Sequence, residues 1–172
     1  WSFGYNQTGN VGDNSTVDKS SPVQIPGTTW STTYGACAAS GGNMSFCIKT
    51  DGTLWAWGEN QGKLGLNNNA HYSSPTQVPG TTWKQIDSNY TTTYAVKTDG
   101  TMWAWGDPGF GRLGTNSPHN TTYSSPKQIP GTTWSKVKSV SYGAAALRTD
   151  GTLWAWGRSN WGSGAYNLGG SK

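Results

Sequence analysis

The stretch Thr50-Asp51-Gly52-Thr53-Leu54-Trp55-Ala56-Trp57-Gly58 decides the fold, because it returns twice with almost no change. The second copy is 98–106, in which a methionine replaces the leucine, and the third copy is 149–157. A partial copy, Trp1-Ser2-Phe3-Gly4, opens the chain. The equivalent aspartates are 48 and 51 residues apart, and a segment that returns at such a period indicates a repeat architecture.

Elementary stereochemistry explains one copy. Glycine takes a positive φ at no steric cost and aspartate tolerates it, so Asp51-Gly52 predicts a tight turn. In the strand that follows, Trp55 and Trp57 point to one face, and the aliphatic residues between and before them point to the other. Neither face is charged, which predicts a strand packed between neighbouring sheets. The expected structural core of the repeat is therefore Trp55, Trp57, Trp103, Trp105, Trp154, Trp156, Gly58, Gly106 and Gly157.

The rest of each repeat consists of short strands separated by turn signals. A glycine-rich loop at 60–65 follows the tryptophan strand, and a Ser-Ser-Pro segment at 73–75 comes next. Because proline cannot donate to a ladder, that segment is expected at a sheet edge. Two further strands complete the unit, and no helical pattern occurs. Four short strands with a period near 50 residues predict an all-β fold built from propeller blades.

We place three complete blades of four antiparallel strands at 22–57, 75–105 and 126–156, within one domain that covers 1–172. Residues 1–4 are interpreted as the orphan last strand of a preceding blade, and 158–172 as an irregular tail. Three blades are too few to close a ring, since propellers use about 4–8. Open end blades would expose apolar faces. We therefore expect a larger ring or an assembly, with protein partners or further copies or blades as the missing neighbours.

The order of these elements resembles the regulator of chromosome condensation (RCC1) repeat. The resemblance is most complete at 41–65, which contains Gly41-Gly42, Phe46-Cys47-Ile48-Lys49, the Asp-Gly turn, the tryptophan strand and the loop Asn60-Gln61-Gly62-Lys63-Leu64-Gly65. It extends over essentially the whole chain. It implies an RCC1-like β-propeller ring, usually of seven blades. The motif predicts the fold specifically, but it does not predict the function, because one fold hosts many functions.

Charge and hydropathy limit the partners. The formal net charge is +4; residues 1–107 carry five lysines against seven acidic residues, and residues 108–172 carry seven basic residues against one aspartate. A basic half can attract nucleic acid, but no run of basic residues occurs, so we do not expect nucleic acid as a partner. No apolar run approaches the roughly 20 residues that a membrane helix needs, so no membrane span is expected.

Cys37 and Cys47 are the only cysteines. They flank a glycine-containing turn between two predicted strands, and a three-residue turn would place them opposite each other. Two alternatives stay open. One is a cross-strand disulfide, which would indicate an oxidising or extracellular setting. The other is a pair of free buried thiols, because Ala95 and Ala146 occupy the position of Cys47 in the other repeats.

No pattern of catalytic or metal-ligating residues stands out. His71 and His119 lie in the polar loops before the Ser-Ser-Pro segments, where they could contact a partner from a shared rim or simply be solvated. Each Asp-Gly aspartate returns in the same turn context, which indicates a structural role. No Ser-His-Asp, His-Glu-x-x-His or phosphate-loop pattern occurs. We expect no enzymatic activity, no cofactor and no metal, zinc included, since cysteine and histidine are scarce.

The eleven tryptophans allow two alternatives to core packing. One is a platform on which glycan rings stack, and the other is an ultraviolet sensor, as in one plant relative within the family. The Gly-Trp-Arg-His-Thr motif of that relative is absent. The repetition of the tryptophan pairs at strand positions favours core packing. Trp161 lies in the tail outside the repeats and is the candidate for an exposed contact with a partner.

Two functional hypotheses follow. The first is a non-catalytic structural or recognition module of an exposed bacterial or phage surface protein, of the virion fibre, decoration or adhesin type. It would bind protein or glycan and be extracellular or on the virion surface; low charge and abundant Ser, Thr and Asn favour it. The alternative, which the resemblance implies, is a regulatory RCC1-type propeller: a GTPase exchange factor or a chromatin- or nucleic-acid-associated protein. A steep salt dependence of nucleic-acid binding would separate the two.

Overall fold

The computed structural model describes residues 1–158 except 41, 117 and 119. In this part of the chain the structure is almost entirely strand, with a single 3₁₀ turn at Gly109–Gly111. The strands are β1 Ser2–Gly4, β2 Lys19–Val23, β3 Cys37–Ser40, β4 Met44–Ile48, β5 Leu54–Gly58, β6 Tyr72–Gln77, β7 Trp83–Ser88, β8 Thr92–Lys97, β9 Met102–Gly106, β10 Tyr123–Ile129, β11 Trp134–Val140, β12 Gly143–Arg148 and β13 Leu153–Gly157.

The strands form four antiparallel sheets, each made of consecutive strands. A leading pair, β1–β2, is followed by blade 1 (β3–β6), blade 2 (β7–β10) and blade 3 (β11–β13). Blades 1 and 2 have four strands each, and blade 3 has three in the described residues. The predicted all-β class and the four-stranded antiparallel blades are therefore confirmed.

The assignment of strands to blades differs from the sequence prediction. The Ser-Ser-Pro strands β6 and β10 pair with the tryptophan strands β5 and β9 that precede them. The predicted limits 22–57, 75–105 and 126–156 therefore place this strand in the wrong blade. The loop after each tryptophan strand reverses the direction of the chain, so the Ser-Ser-Pro strand pairs with the tryptophan strand that precedes it. It then forms the edge of the sheet, where the missing N–H of its proline interrupts no hydrogen-bond ladder. Residues 1–4 are not an orphan either, because Ser2 pairs with Val23 on β2.

The hydrophobic core lies between successive blades. Between blades 1 and 2, Leu54 and Phe46 meet Ile86 and Trp105, and the Phe46 and Trp105 rings are 6.3 Å apart with their planes at 67°. A second cluster repeats this arrangement between blades 2 and 3: Tyr94, Val96, Met102, Ala104, Leu113, Ile129, Trp134, Val137, Ala144 and Ala146. Both faces of the tryptophan strand are covered in blades 1 and 2, as the uncharged alternation predicts.

Blade 3 shows how strongly this burial depends on the following blade. Leu54 and Met102 are fully buried, whereas Leu153, at the same repeat position, is 55% exposed. Trp154 is 46% exposed. Because the local sequences are nearly identical, the difference arises from the neighbouring sheet. Blade 3 therefore carries an exposed apolar face, as expected for an end blade.

Gln85 on β7 ties blade 2 to blade 3. Its side-chain Nε2 donates to the Val137 carbonyl at 2.8 Å, and its Oε1 accepts from the Val137 N–H at 3.1 Å. Next to it, the Asp87 carboxylate accepts from the Ser139 N–H at 3.0 Å. The amide thus forms the same two hydrogen bonds that a paired strand residue would form, across the edges of two separate sheets.

We expect Gln85→Leu to lower the free energy of unfolding by about 2 kcal/mol, because it leaves both backbone groups of Val137 without these partners. Gln128→Leu, on the exposed outer strand β10, is the control and should change stability by less than about 0.5 kcal/mol. Urea denaturation measures both variants. Equal losses of unfolding free energy in the two variants would contradict a stabilising contact of Gln85 between blades 2 and 3.

Candidate functional site

The antiparallel order of the strands places different loops at the two ends of the blades. The turns at 51–52, 99–100 and 150–151 lie at one end, which we call the Asp-Gly end. The glycine-rich loops at 60–65 and 109–114 follow the tryptophan strands and lie at the opposite end, the glycine-loop end. The two ends differ in which of their side chains are exposed to solvent.

Each aspartate of the Asp-Gly end stabilises, by hydrogen bonds, the turn in which it lies. Asp99 Oδ1 accepts hydrogen bonds from the Thr101 N–H at 2.9 Å and the Thr101 hydroxyl at 2.7 Å, and that hydroxyl accepts from Trp103 Nε1 at 3.0 Å. The same three contacts occur at Asp51 and at Asp150. These contacts support the structural role expected for the aspartates. The hydrogen bonds from the Thr101 side chain and backbone lower the pKa of Asp99 from its ordinary value.

This lowered pKa predicts a loss of stability in acid. A carboxyl group whose pKa is lower in the folded state contributes stability above its unfolded pKa of about 3.9, and this contribution disappears as the pH falls through the folded value. We expect the difference in unfolding free energy between the wild type and Asp99→Asn to shrink as the pH falls from about 6 to about 3. Urea denaturation across this range measures it, and a difference that does not vary with pH would contradict the assignment.

The cations at the Asp-Gly end are held between indoles. Lys97 Nζ lies 4.5 Å from the Trp83 ring centre and 4.9 Å from that of Trp103. Corresponding sandwiches join Lys49 to Trp30 and Trp55, and Arg148 to Trp134 and Trp154. Such cation–π contacts stabilise the repeat. Because every blade repeats them, we interpret this end as structural.

At the glycine-loop end, each loop closes onto an indole of the following blade. The second tryptophan of each motif donates from Nε1 to a loop carbonyl: Trp57 to Asn10 at 3.1 Å, Trp105 to Lys63 at 2.8 Å and Trp156 to Arg112 at 2.7 Å. In each loop an aliphatic side chain is buried beside this contact: Val11, Leu64 and Leu113. Each loop therefore binds the following blade through a hydrogen bond and a buried apolar contact.

The outer surface of this end carries aromatic side chains that are not part of the core. Tyr90 is 64% exposed, Phe110 is 56% exposed, and Tyr142 is also exposed. Cations lie against these rings: Lys63 Nζ is 5.4 Å from the Tyr90 centre, Arg112 Cζ is 5.0 Å from that of Tyr142, and Arg158 Cζ is 4.4 Å from that of Phe110. We call these six residues the aromatic–cation rim.

The rim borders a cleft of about 790 Å³ between the turns of blades 2 and 3. Its walls are the turns at 88–91 and 139–142, together with Asp107 and Arg112. Arg112 is buried, and its Nη1 lies 2.7 Å from Asp107 Oδ2 and 3.0 Å from Thr91 Oγ1. Asn89 Nδ2 donates to the Val140 carbonyl at 2.6 Å and joins the two turns. The cleft thus combines polar and apolar surface and is held by hydrogen bonds across the two blades.

Of the three residues singled out as possible partner contacts, only His71 is described, and it does not line this cleft. His71 Nδ1 accepts the Asn60 N–H at 2.9 Å and so orders the glycine-rich loop of blade 1. His119 and Trp161 lie outside the described residues. Among the described side chains, no group of three or more His, Cys, Asp or Glu residues could hold a metal ion.

The two cysteines face each other in the β3–β4 ladder. Cys37 is paired with Cys47, their Cα atoms are 4.1 Å apart, and the structure joins them in a disulfide. The corresponding register positions in blades 2 and 3 hold the pairs Ile86–Ala95 and Val137–Ala146. The disulfide therefore occupies a packing position of the repeat, on the face that blade 1 turns toward the leading pair.

The rim is absent from the residues predicted from the sequence, although one signal for it is present there. Phe110 stands in its glycine-rich loop where the loop of blade 1 has the polar Gln61, and Tyr90 stands in a turn where blade 1 has Gly42 and Asn43. Large aromatic residues at loop positions that another repeat fills with small or polar residues are candidates for binding rather than for packing.

Comparison with known families agrees with this geometry. A model of the regulator of chromosome condensation (RCC1) repeat matches residues 51–96 and 99–145, and a second model of the same repeat matches 83–112. The matches cover more than half of the sequence, and they span the motifs that form the blades. The fold is therefore a segment of an RCC1-like propeller, and the chain belongs to the RCC1 repeat family.

Solved structures show the same architecture. Human WBSCR16 is 22% identical with a TM-score of 0.75, over 96% of this chain and 44% of WBSCR16. Prp20p from Saccharomyces cerevisiae, described with its binding to Gsp1p and histones, is 19% identical with a TM-score of 0.59, over 72% of this chain and 32% of Prp20p. Yeast RCC1 (Prp20) bound to Kap60 gives 18% and 0.58 over the same shares. The chain thus spans less than half the length of WBSCR16 and of Prp20p.

These comparisons contradict the expected extracellular or virion-surface location. Among the similar solved structures, the yeast RCC1 protein Prp20p is described with Gsp1p, histones and Kap60 as its partners, which points away from a surface adhesin or a virion protein. That expectation, which relied on composition, was wrong because abundant Ser, Thr and Asn are equally suited to the turns and loop caps of this repeat. In the part of the chain that the structure describes, no helix is long and apolar enough to span a membrane.

Proposed function

We propose that this chain is the protein-binding segment of a regulatory RCC1-type propeller and that it acts by recognition, without catalysis. The observation that carries the proposal is the aromatic–cation rim beside a cleft of mixed polar and apolar surface at one end of the blades. Tyrosine and arginine are enriched among the residues that dominate protein–protein binding energies. Lysine is depleted at such interfaces, and the rim contains one lysine against two arginines.

The described partners of an RCC1 homologue indicate which type of regulation to expect. Prp20p, an RCC1 homologue with the same fold, is described by its binding to Gsp1p and histones, and Kap60 binds the same yeast protein. These partners support a role as a GTPase exchange factor or a chromatin-associated protein for the protein that contains this segment. The exposed Leu153 face further supports a following blade, or another partner, that covers blade 3.

Binding measurements with the partners of the yeast homologue test this proposal. The chain is immobilised, and Gsp1p, histone octamers and Kap60 are passed over it separately by surface plasmon resonance at near-physiological salt. Saturable binding of at least one partner is expected, with loss of binding when Tyr90 and Tyr142 are both replaced by alanine. If none of the three binds, the regulatory proposal is wrong.

A further inference from the structure

We infer that the leading pair binds an extended segment of a partner protein, which adds as a strand to the free edge of β1 and places an aromatic side chain in the cavity beside Trp57. The residues that line this cavity are not those of the aromatic–cation rim or its cleft, so the inference goes beyond the proposed function. It depends on the cavity, on the aromatic rings that occupy the same place between the other blades, and on the edge of β1.

The cavity lies between the leading pair and blade 1 and has a volume of about 430 Å³. Ser2 and Ile25 line it from the side of the leading pair, and Trp57 and the Cys37–Cys47 disulfide line it from blade 1. No side chain of Asp, Glu, Lys or Arg lines it in the described part of the chain. A mostly apolar site of this size takes an uncharged apolar group, because a charge would lose its hydration there.

The interfaces between the blades show which group belongs in this place. The Phe46 ring lies 6.3 Å from Trp105 between blades 1 and 2, centre to centre. The Tyr94 ring lies 6.0 Å from Trp156 between blades 2 and 3. Both pairs meet edge to face, which is a favourable geometry for aromatic rings. Trp57 has the same position in its own motif, so a ring in the cavity repeats a contact that the molecule makes twice elsewhere.

Strand register identifies where this ring must come from. In blade 1, Phe46 on β4 is opposite Ala56 on β5. In blade 2, Tyr94 on β8 is opposite Ala104 on β9. Ser2 has the corresponding place on β1, two residues before the final glycine of its motif. A strand that pairs with β1 on the edge opposite β2 therefore directs the residue facing Ser2 into the cavity.

The edge of β1 is suited to such pairing. In the described residues no strand pairs with it on the side away from β2. Edge strands are commonly protected by proline or lysine, and the outer strands of this protein follow the rule: β2 contains Lys19 and Pro22, and β10 contains Pro126 and Lys127. β1 contains neither residue type, and its Phe3 is 67% exposed. Main-chain hydrogen bonds at such an edge give affinity, and pockets for alternate side chains give specificity.

A peptide that copies β8 tests the inference, because Tyr94 makes the required contact between blades 2 and 3. The fluorescein-labelled peptide has the sequence of residues 91–98, Thr-Thr-Thr-Tyr-Ala-Val-Lys-Thr, and is titrated with the whole chain while fluorescence anisotropy is followed. We expect saturable binding, and at least about tenfold weaker binding of a peptide with alanine in place of the tyrosine, since burial of an aromatic ring contributes that much. Equal affinity of the two peptides would overturn the inference.

Two further measurements separate strand addition from capture of a small aromatic molecule. Bound peptide should slow amide hydrogen exchange in residues 1–5, because backbone N–H groups of β1 become paired. N-acetyltyrosinamide, which has the ring but no strand, should not displace the labelled peptide at the concentration at which unlabelled peptide does. Unchanged exchange in residues 1–5, or equal displacement by N-acetyltyrosinamide, would show that strand addition is wrong.

Variants locate the binding site in the cavity. Ser2→Phe fills the cavity with a ring of the protein's own and should weaken peptide binding at least about tenfold. Ser20→Phe is the matched control: it adds the same ring to an exposed serine of β2 that does not line the cavity, and it should leave binding unchanged. Thermal denaturation shows that both variants are folded. Loss of binding in both variants, or in neither, would contradict the assignment of the cavity.

Self-association and the rim are tested in parallel. In sedimentation velocity, a dimer that Ser2→Phe dissociates would show that a second copy occupies the edge instead of a partner, which overturns the inference. Replacement of Tyr90 and Tyr142 by alanine should leave peptide binding unchanged, because the two surfaces share no residue. If Gsp1p, histones and Kap60 all fail to bind while the peptide binds in a Ser2-dependent way, the regulatory proposal is wrong and this inference stands. If one of them binds and the peptide does not, the reverse holds.

Discussion

Trp105→Ala is expected to lower the free energy of unfolding by about 3–5 kcal/mol, the range for removing a large buried aromatic side chain. Trp105 is fully buried between blades 1 and 2. Its ring lies 6.3 Å from Phe46 and 6.2 Å from Trp83, centre to centre. Its Nε1 donates to the Lys63 carbonyl at 2.8 Å. The substitution therefore opens a cavity in the interface between blades and also removes the indole donor of that carbonyl, which keeps only the Thr93 hydroxyl at 3.3 Å.

Trp154→Ala provides the exposed-indole control for this prediction. Trp154 is the first tryptophan of the motif in blade 3, the counterpart of Trp103, and it is 46% exposed, so its removal should cost about 1 kcal/mol. Guanidinium denaturation of both variants, followed by far-ultraviolet circular dichroism rather than tryptophan fluorescence, gives the two values. Comparable losses would show that burial between blades is not what these indoles contribute.

The sequence specifies the local structure of this protein well. Alternation in the tryptophan strand predicts the two covered faces that Leu54 and Trp57 occupy, and Asp51-Gly52 predicts the turn. The proline of the Ser-Ser-Pro segment predicts an edge strand, and β6 and β10 are edge strands. These features depend on backbone stereochemistry and on the alternation of side chains along a strand. A few consecutive residues determine both.

The features that the sequence did not reveal depend on contacts between distant residues. Whether β6 joins the blade before it or the blade after it is decided by how the intervening loop reverses the chain, and no residue of the strand encodes that choice. The rim is assembled from loops as far apart as Lys63 and Arg158. Comparison of the repeats marks Tyr90 and Phe110 as unusual for their loops, but only the packing of the blades brings them beside Tyr142, so a site of this kind has no linear motif.

A second large effect is expected for Gly100→Ala, which should destabilise the chain by about 3 kcal/mol or more because two costs add. Gly100 has a φ of +79°, and a side chain in that region costs roughly 1–2 kcal/mol. In addition, a Cβ at this position would overlap the carbonyl oxygen of Thr132, in the segment that enters blade 3. Overpacking against backbone typically adds 1–3 kcal/mol. The Gly100 carbonyl accepts the Trp134 N–H at 2.9 Å, so movement to relieve the overlap would strain the junction of the two blades.

Gly151→Ala isolates the first of these costs, the backbone strain. Gly151 occupies the same place in the third copy of the motif with a φ of +84°, but in the described part of the chain no atom lies within 4 Å of a Cβ built on it. Its replacement should therefore cost only the backbone term, roughly 1–2 kcal/mol. The difference between the two variants in urea denaturation measures how tightly the Asp-Gly turn of blade 2 is fitted against blade 3. If the two variants lose equal stability, the fit of this turn against blade 3 contributes nothing to the stability of the chain.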